Sequence, residues 1–300
     1  MQVRRFTRLA FGIAMLGTFL PADTIKYTYD AAGRLTSASY GATTIAYSYD
    51  KAGNLLSRTT SGSATLFTTV SAADFKAPVA PDSLVSGFGQ ALISGPPVQA
   101  STIPLPTMLG QTQVQFKDAS GTMSFCRLVL ISATQFNFIT PPDAAPGTAT
   151  ITVLNSGSTV ASGTVQVAKV APGIFASSGI AAAEILRVQA DGSQNIEFVV
   201  QADASGNIIP LPIDFGAATD HLYLLLFGTG IRGNSGLAGV TLSIGNTNVP
   251  VAYAGDQRGF AGLDQINTAE LPRSLAGSGQ VNVALTIDGK AATPVTLVFK

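Results

Sequence analysis

The chain has 300 residues, 46% of them hydrophobic and only 11% charged, against roughly 25% charged in an average globular protein. Lys+Arg and Asp+Glu each number 17, so no basic field exists to hold a nucleic-acid backbone. One His (His221), one Cys (Cys126) and no Trp exclude a Cys/His metal cluster and an internal disulfide.

Arg4, Arg5 and Arg8 precede an apolar stretch, Leu9 to Leu20, that ends at Pro21-Ala22. That stretch is shorter than the ~20 residues a spanning helix needs, and the pattern is that of a cleaved signal peptide covering 1–22. Export is therefore expected, with the protein secreted or held at the cell surface. No later run is apolar for long enough to span a membrane as a helix.

Tyr27-Thr28-Tyr29-Asp30-Ala31-Ala32-Gly33-Arg34-Leu35 recurs as Tyr47-Ser48-Tyr49-Asp50-Lys51-Ala52-Gly53-Asn54-Leu55. Tyrosines at i and i+2 project from one face of a strand. Asp followed three positions later by Gly suits a type I turn, so each unit predicts a strand, a tight turn and a returning strand. The pattern Tyr-Asp-x-x-Gly-Arg/Asn-Leu resembles the YD repeat of Rhs proteins, teneurins and insecticidal toxin complexes, over about residues 25 to 60. In those families many repeats wrap into a hollow β-shell. Two units are too few for that, so the resemblance implies shared ancestry or an adhesive surface, with the repeats at 23–60. Residues 57–66 lack periodicity and predict a flexible linker, placed at 61–69 between the repeats and the remainder of the chain. Proteolysis is expected there first, between Ser57 and Leu66.

Short apolar runs separated by Gly, Pro, Asn and Asp then continue to the C-terminus, the spacing of all-β sandwiches. Cys126, Leu128 and Leu130 share one face of an apolar strand, which predicts a buried, inert thiol. A turn or two of helix is expected only at 180–189. The stretch Ser83 to Leu92 parallels Leu222 to Ile231, and Gln135-Phe136-Asn137 parallels Gln265-Ile266-Asn267. Two duplicated sandwiches are inferred, at 70–170 and, after the joint Ala171-Pro172-Gly173-Ile174-Phe175, at 171–300. Leu84, Phe88, Phe136 and Ile151 are expected in the first core; Leu224, Phe227, Ile266, Val283 and Leu285 in the second.

The first copy, with Thr140-Pro141-Pro142, Pro146-Gly147 and an alternating Thr/Val strand, resembles an IPT/TIG immunoglobulin-like domain. From about Val70 to Phe299 the chain is similar to the uncharacterised Solibacter-type C-terminal domain of acidobacterial secreted proteins. The shared landmarks include Ala80-Pro81-Asp82-Ser83-Leu84-Val85, Ala171 to Phe175, Phe227-Gly228-Thr229-Gly230 and Gly259 to Asn267. Ala217 to Asp220 stands where that family has Pro-Gly. The resemblance implies an all-β fold of two tandem immunoglobulin-like sandwiches and no assigned activity.

Catalytic sets fail on inventory. A Ser-His-Asp or Cys-His arrangement must use His221, which lies before an apolar strand with no Gly-x-Ser-x-Gly elbow nearby. Asp256, Asp264 and Glu270 lie close in sequence, but loop aspartates are usually turn formers. Asp191 to Asn195 and Asp203 to Asn207 alternate oxygen side chains as calcium loops do, yet lack the bidentate acid and read as hairpin turns. Gly228-Thr229-Gly230-Ile231-Arg232-Gly233 opens no helix and so lacks the dinucleotide-binding context. No residue is assigned to catalysis, a cofactor or a metal. The candidate ligand surface is Tyr27, Tyr29, Tyr47, Tyr49, Gln135, Asn137, Gln265 and Asn267. The amides of the last four are expected to bond to neighbouring backbone at the sandwich seam. The expected function is non-catalytic: adhesion, display or polysaccharide contact at the cell surface, with a polysaccharide or another surface protein as partner. A remnant of an Rhs export or toxin system is the alternative, and a carbohydrate-active enzyme the third.

Overall fold

Apolar–polar alternation broken by Gly and Asx turns becomes strand throughout. The computed structural model describes residues 25–40, 43–61 and 64–300; the expected signal peptide lies outside them. Among the described residues the helical turns are two short 3-10 segments, Leu237–Gly239 and Arg273–Leu275. The chain divides into two compact units between residues 62 and 63.

The first unit is one antiparallel sheet in the order β1 (Lys26–Tyr29), β2 (Leu35–Tyr40), β3 (Thr43–Tyr49), β4 (Leu55–Ser61). Both predicted turns form. The Gly33 N–H donates to the Asp30 carbonyl at 2.9 Å and Gly53 to Asp50 at 3.1 Å. Gly33 and Gly53 take φ of 76° and 94°, which glycine adopts at no steric cost, and the register shifts beside each turn as in three-residue hairpins with a bulge.

The second unit opens with β5 (Thr65–Leu66), β6 (Thr68–Ser71), β7 (Leu84–Phe88), β8 (Val98–Gln99) and β9 (Thr112–Lys117). β10 (Met123–Phe125), β11 (Arg127–Ile131), β12 (Gln135–Ile139), β13 (Gly147–Asn155) and β14 (Ser158–Val167) complete the first sandwich. Its sheets run β10-β9-β13-β14-β5 and β6-β7-β12-β11-β8.

The second sandwich begins with β15 (Gly173–Ile174), β16 (Ala176–Ser177), β17 (Ile180–Ala181), β18 (Ala183–Val188) and β19 (Gln194–Phe198). A hairpin of β20 (Val200–Ala202) and β21 (Ile208–Pro210) leads to β22 (His221–Thr229), β23 (Val240–Ile244), β24 (Thr247–Asn248) and β25 (Val251–Asp256). β26 (Asp264–Glu270), β27 (Gly279–Ile287), β28 (Lys290–Ala291) and β29 (Val295–Phe299) finish it. Its sheets run β19-β18-β22-β26-β25 and β16-β17-β29-β27-β23-β24.

The two sandwiches repeat one topology. β10-β9-β13-β14-β5 matches β24-β23-β27-β29-β17, and in both the last strand pairs in parallel. β6-β7-β12-β11 matches β18-β22-β26-β25. Even the register agrees: Gln135 sits opposite Phe88 and Gln265 opposite Phe227. The fold is two tandem immunoglobulin-like β-sandwiches preceded by a repeat sheet, as expected.

Several local expectations are corrected. The two units divide inside the expected 61–69 linker, and residues 62 and 63 lie outside the described ones. Strands nevertheless occupy much of the rest of the 57–69 stretch: β4 reaches Ser61, and β5 and β6 edge the first sandwich. Phe67 between them is buried in the first core. Its partners Phe136 and Phe138 are far away in sequence, so nothing local marks it. The helical turn at 180–189 is β17 and β18, whose alternation buries Ala183, Ile185 and Arg187. Phe136, Ile151, Leu224, Ile266, Val283 and Leu285 are core residues, but Leu84, Phe88 and Phe227 are only half-buried. They point to the outer faces, because Val85, Leu224 and Leu226 beside them in sequence take the inward positions. A bulge between Leu128 and Leu130 turns Leu130 out and Ile131 in. Cys126 is fully buried, and burial pushes its thiol well above the usual range.

Candidate functional site

In the repeat sheet each aspartate locks its own turn. Asp30 Oδ1 accepts the Ala32 and Arg34 N–H groups at 3.0 and 2.9 Å, while Arg34 Nε donates to Oδ2 at 2.7 Å. Asp50 does the same with Ala52 and Asn54, at 2.9 and 2.8 Å, and Asn54 Nδ2 donates to Oδ2 at 2.8 Å. Arg34 also ties one turn to the next: Nη1 donates to the Asp50 carbonyl at 3.1 Å and the guanidinium lies 4.9 Å from the Tyr49 ring centre. The Tyr49 hydroxyl donates to the Leu35 carbonyl at 3.0 Å. So Tyr49 packs between the hairpins. Tyr47 is half-buried, whereas Tyr27 and Tyr29 are exposed on the edge strand.

These turns carry a pH dependence with a definite sign. The Arg34 N–H and then its side chain hold the Asp30 carboxyl below its ordinary value; the Asn54 side chain and then its N–H do so for Asp50. A depressed folded pKa stabilises above the unfolded value, near about 3.9, and that gain is lost as pH falls through the folded one. Acidification below the unfolded value, near about 3.9, is expected to loosen both hairpins progressively, read from the Gly33 and Gly53 amide NMR signals, and Asp30→Asn with Asp50→Asn should remove the transition. Amide signals that hold still through this range would show that the carboxylates do not lock the turns.

The same turn recurs at Asp203, whose Oδ1 accepts the Ser205 and Asn207 N–H groups, each at 2.8 Å, and whose Oδ2 takes Asn207 Nδ2 at 3.0 Å. Oxygens that a cation loop would present are filled by the hairpin itself. Among the described residues no three His, Cys, Asp or Glu side chains converge as a metal site.

Both Gln-x-Asn pairs point away from the sandwich cores, but Asn137 is buried, whereas Gln135, Gln265 and Asn267 are half-buried. Gln135 Nε2 donates to Asn137 Oδ1 at 3.0 Å and Gln265 Nε2 to Asn267 Oδ1 at 2.6 Å. This corrects the expected backbone bonding: each pair spans i to i+2 along its own strand. In the first sandwich Ser86 also donates to Asn137, at 3.1 Å. In the second the residue opposite Asn267 is Leu225, which offers no hydroxyl.

The sandwiches join through a polar seam that the sequence did not reveal. Arg232 Nε donates to Asp264 Oδ1 at 2.6 Å, and its Nη1 reaches Asp82 of the first sandwich, which also pairs with Arg127. Asp256 approaches Arg232 Nη2 at 3.2 Å. The Leu84 N–H donates to Thr229 Oγ1 at 2.8 Å, and that hydroxyl donates to the Gly262 carbonyl at 2.7 Å. Burial raises the Asp264 carboxyl, with Arg232 the main opposing influence. The glycine-rich stretch after β22 lets the joint lie close: a Cβ on Gly230 would sit 2.1 Å from the Ala171 carbonyl oxygen. Asp82, Ala171, Thr229 and Gly262, which meet at this seam, all stand among the landmarks read from sequence. His221 is exposed and pairs with Glu270 at 2.7 Å. An open groove of ≈ 580 Å³ lies beside Arg127, Phe125, Pro141 and Asp143.

The RHS repeat family model matches residues 29–65, a span that covers the second turn unit and part of the first. No curated protein matches the chain. Among solved structures it is similar to the N-terminal eight Ig domains of Down Syndrome Cell Adhesion Molecule, isoform 1.30.30. The alignment has 11% identity and a TM-score of 0.22, and covers 93% of this chain and 31% of that one. No helix among the described residues is long and apolar enough to cross a membrane.

Proposed function

We propose that this chain is an exported, non-catalytic adhesive module that contacts polysaccharide or another protein at a cell surface. The observation that carries this reading is the combination of a docked sandwich pair with outward-facing rings and amides. The seam through Asp82, Arg232 and Asp264 holds the pair as one unit, which suits presentation of a surface at a fixed spacing. The groups best suited to acid–base or nucleophilic work have structural engagements instead: Cys126 is buried, Asp264 is filled by Arg232 and backbone N–H groups, and Glu270 holds His221. Likeness to the Solibacter-type domain of secreted proteins supports the same reading, as fold-level analogy.

Retention of the purified full chain on whole bacterial cells, lost after periodate oxidation of their surface glycans, is the expected result. Absence of retention, or a measured turnover that His221→Ala abolishes with the fold intact, would overturn the reading. The RHS repeat match at 29–65 favours a second reading, a remnant of an Rhs export system. An adjacent upstream reading frame rich in Tyr-Asp repeats would be its signature.

A further inference from the structure

The outer face of the β19-β18-β22-β26-β25 sheet is unusual for a sandwich. Such faces ordinarily alternate to polar residues, as the inward positions here alternate to the buried Ile185, Leu224 and Ile266. Pairing registers instead align Phe198, Glu184, Leu225, Asn267 and Tyr253 in one row across all five strands. At ~4.8 Å per strand the row spans about 19 Å. Phe198 is 45% exposed, and Leu225 and Tyr253 are half-buried. Ile196, Leu186 and Tyr223 extend the apolar surface beside it.

Two polar groups in this row lack protein partners among the described residues. Glu184 is half-buried and makes no hydrogen bond or ion pair, and burial alone raises its carboxyl from the ordinary value. Asn267 uses its Oδ1 for Gln265, which leaves its Nδ2 to donate elsewhere. The duplicated sandwich shows the contrast: there Ser86 stands in place of Leu225 and bonds to Asn137. No Lys or Arg occupies an outward position in the aligned rows, so an anionic chain finds no countercharge.

We propose that this face binds an extended, uncharged polysaccharide. Sugar C–H faces would lie on Phe198 and Tyr253, hydroxyls would donate to Glu184, and Asn267 Nδ2 would donate to a sugar oxygen. The inference rests on the adhesive reading and assigns its contact surface. Native gels containing hydroxyethyl cellulose, galactomannan or polygalacturonate test it with the full chain. Retardation in at least one of the two neutral gels and none in polygalacturonate is expected. Phe198→Ala should weaken it about tenfold, Glu184→Ala should weaken it as well, and Glu184→Gln should restore part, all with unchanged far-UV circular dichroism.

Retardation by polygalacturonate, no retardation in any gel, or retardation that both alanine variants leave unchanged would overturn the assignment. In the last case the adhesive reading survives with its contact elsewhere. If retention on cells is also absent, both fall.

Discussion

Phe67→Ala is expected to destabilise the unit beginning at residue 63 by about 3–5 kcal/mol, the range for a buried aromatic. The ring is 1% exposed and stacks on Phe138 at 6.3 Å, with its edge to Phe136 at 6.0 Å. Its own N–H donates to the Ser162 carbonyl at 2.9 Å, so both backbone and side chain are engaged. The cavity left by truncation cannot close easily, because the ring sits against Gly87. A Cβ there would lie 2.0 Å from the Phe67 Cζ, so on that side of the ring no side chain is present to move in. Urea unfolding measures the loss. A value under about 1 kcal/mol, the ordinary cost of a point substitution, would mean that 64–71 is an appendage rather than part of the sandwich.

The duplication was legible in the sequence because Phe-Gly and Gln-x-Asn mark the same register twice, at Phe88 opposite Gln135 and Phe227 opposite Gln265. The Asp-x-x-Gly turns were legible because every bond that makes them lies within five residues. Inward and outward facing was misread where alternation fails. The run Leu222-Tyr223-Leu224-Leu225-Leu226-Phe227 is apolar at every position, and such a run carries no period to tell which set is core. The sign it did carry is that both faces of β22 are apolar, and the outer one is the surface assigned to polysaccharide. Phe67 and the pairing of Asp82 with Arg232 were illegible for a different reason. A lone apolar residue among Ser and Thr has no local pattern, and Asp82 and Arg232 meet only because two sandwiches dock. Arg187 was missed likewise: it lies buried between Glu197 and Asp220, contacts that β-pairing and a distant loop create.

Arg232→Ala is expected to cost about 3–5 kcal/mol at neutral pH, the penalty for leaving a buried charge without its partner. Asp264 has no exposed surface. After the substitution its carboxylate keeps the Ile231 N–H, at 2.7 Å, and the N–H of residue 232 at 3.2 Å, but no countercharge. Asp82 still holds Arg127, so the first sandwich loses less. The pH dependence follows from burial, which already raises the Asp264 carboxyl against the pull of Arg232. Without Arg232 it rises further. A carboxyl whose folded pKa is raised penalises the fold only when ionised, so the cost is absent below the unfolded value, near about 3.9, and grows as pH rises through the folded value. The stability gap between wild type and Arg232→Ala should therefore narrow between about pH 7 and pH 4. Asp264→Asn in the Arg232→Ala background should recover part of the loss at neutral pH, because an amide carries no charge to desolvate. Urea titrations at several pH values read both effects. A gap that stays constant with pH, or a double variant no more stable than the single one, would show that Arg232 acts through packing rather than as the counter-ion of Asp264.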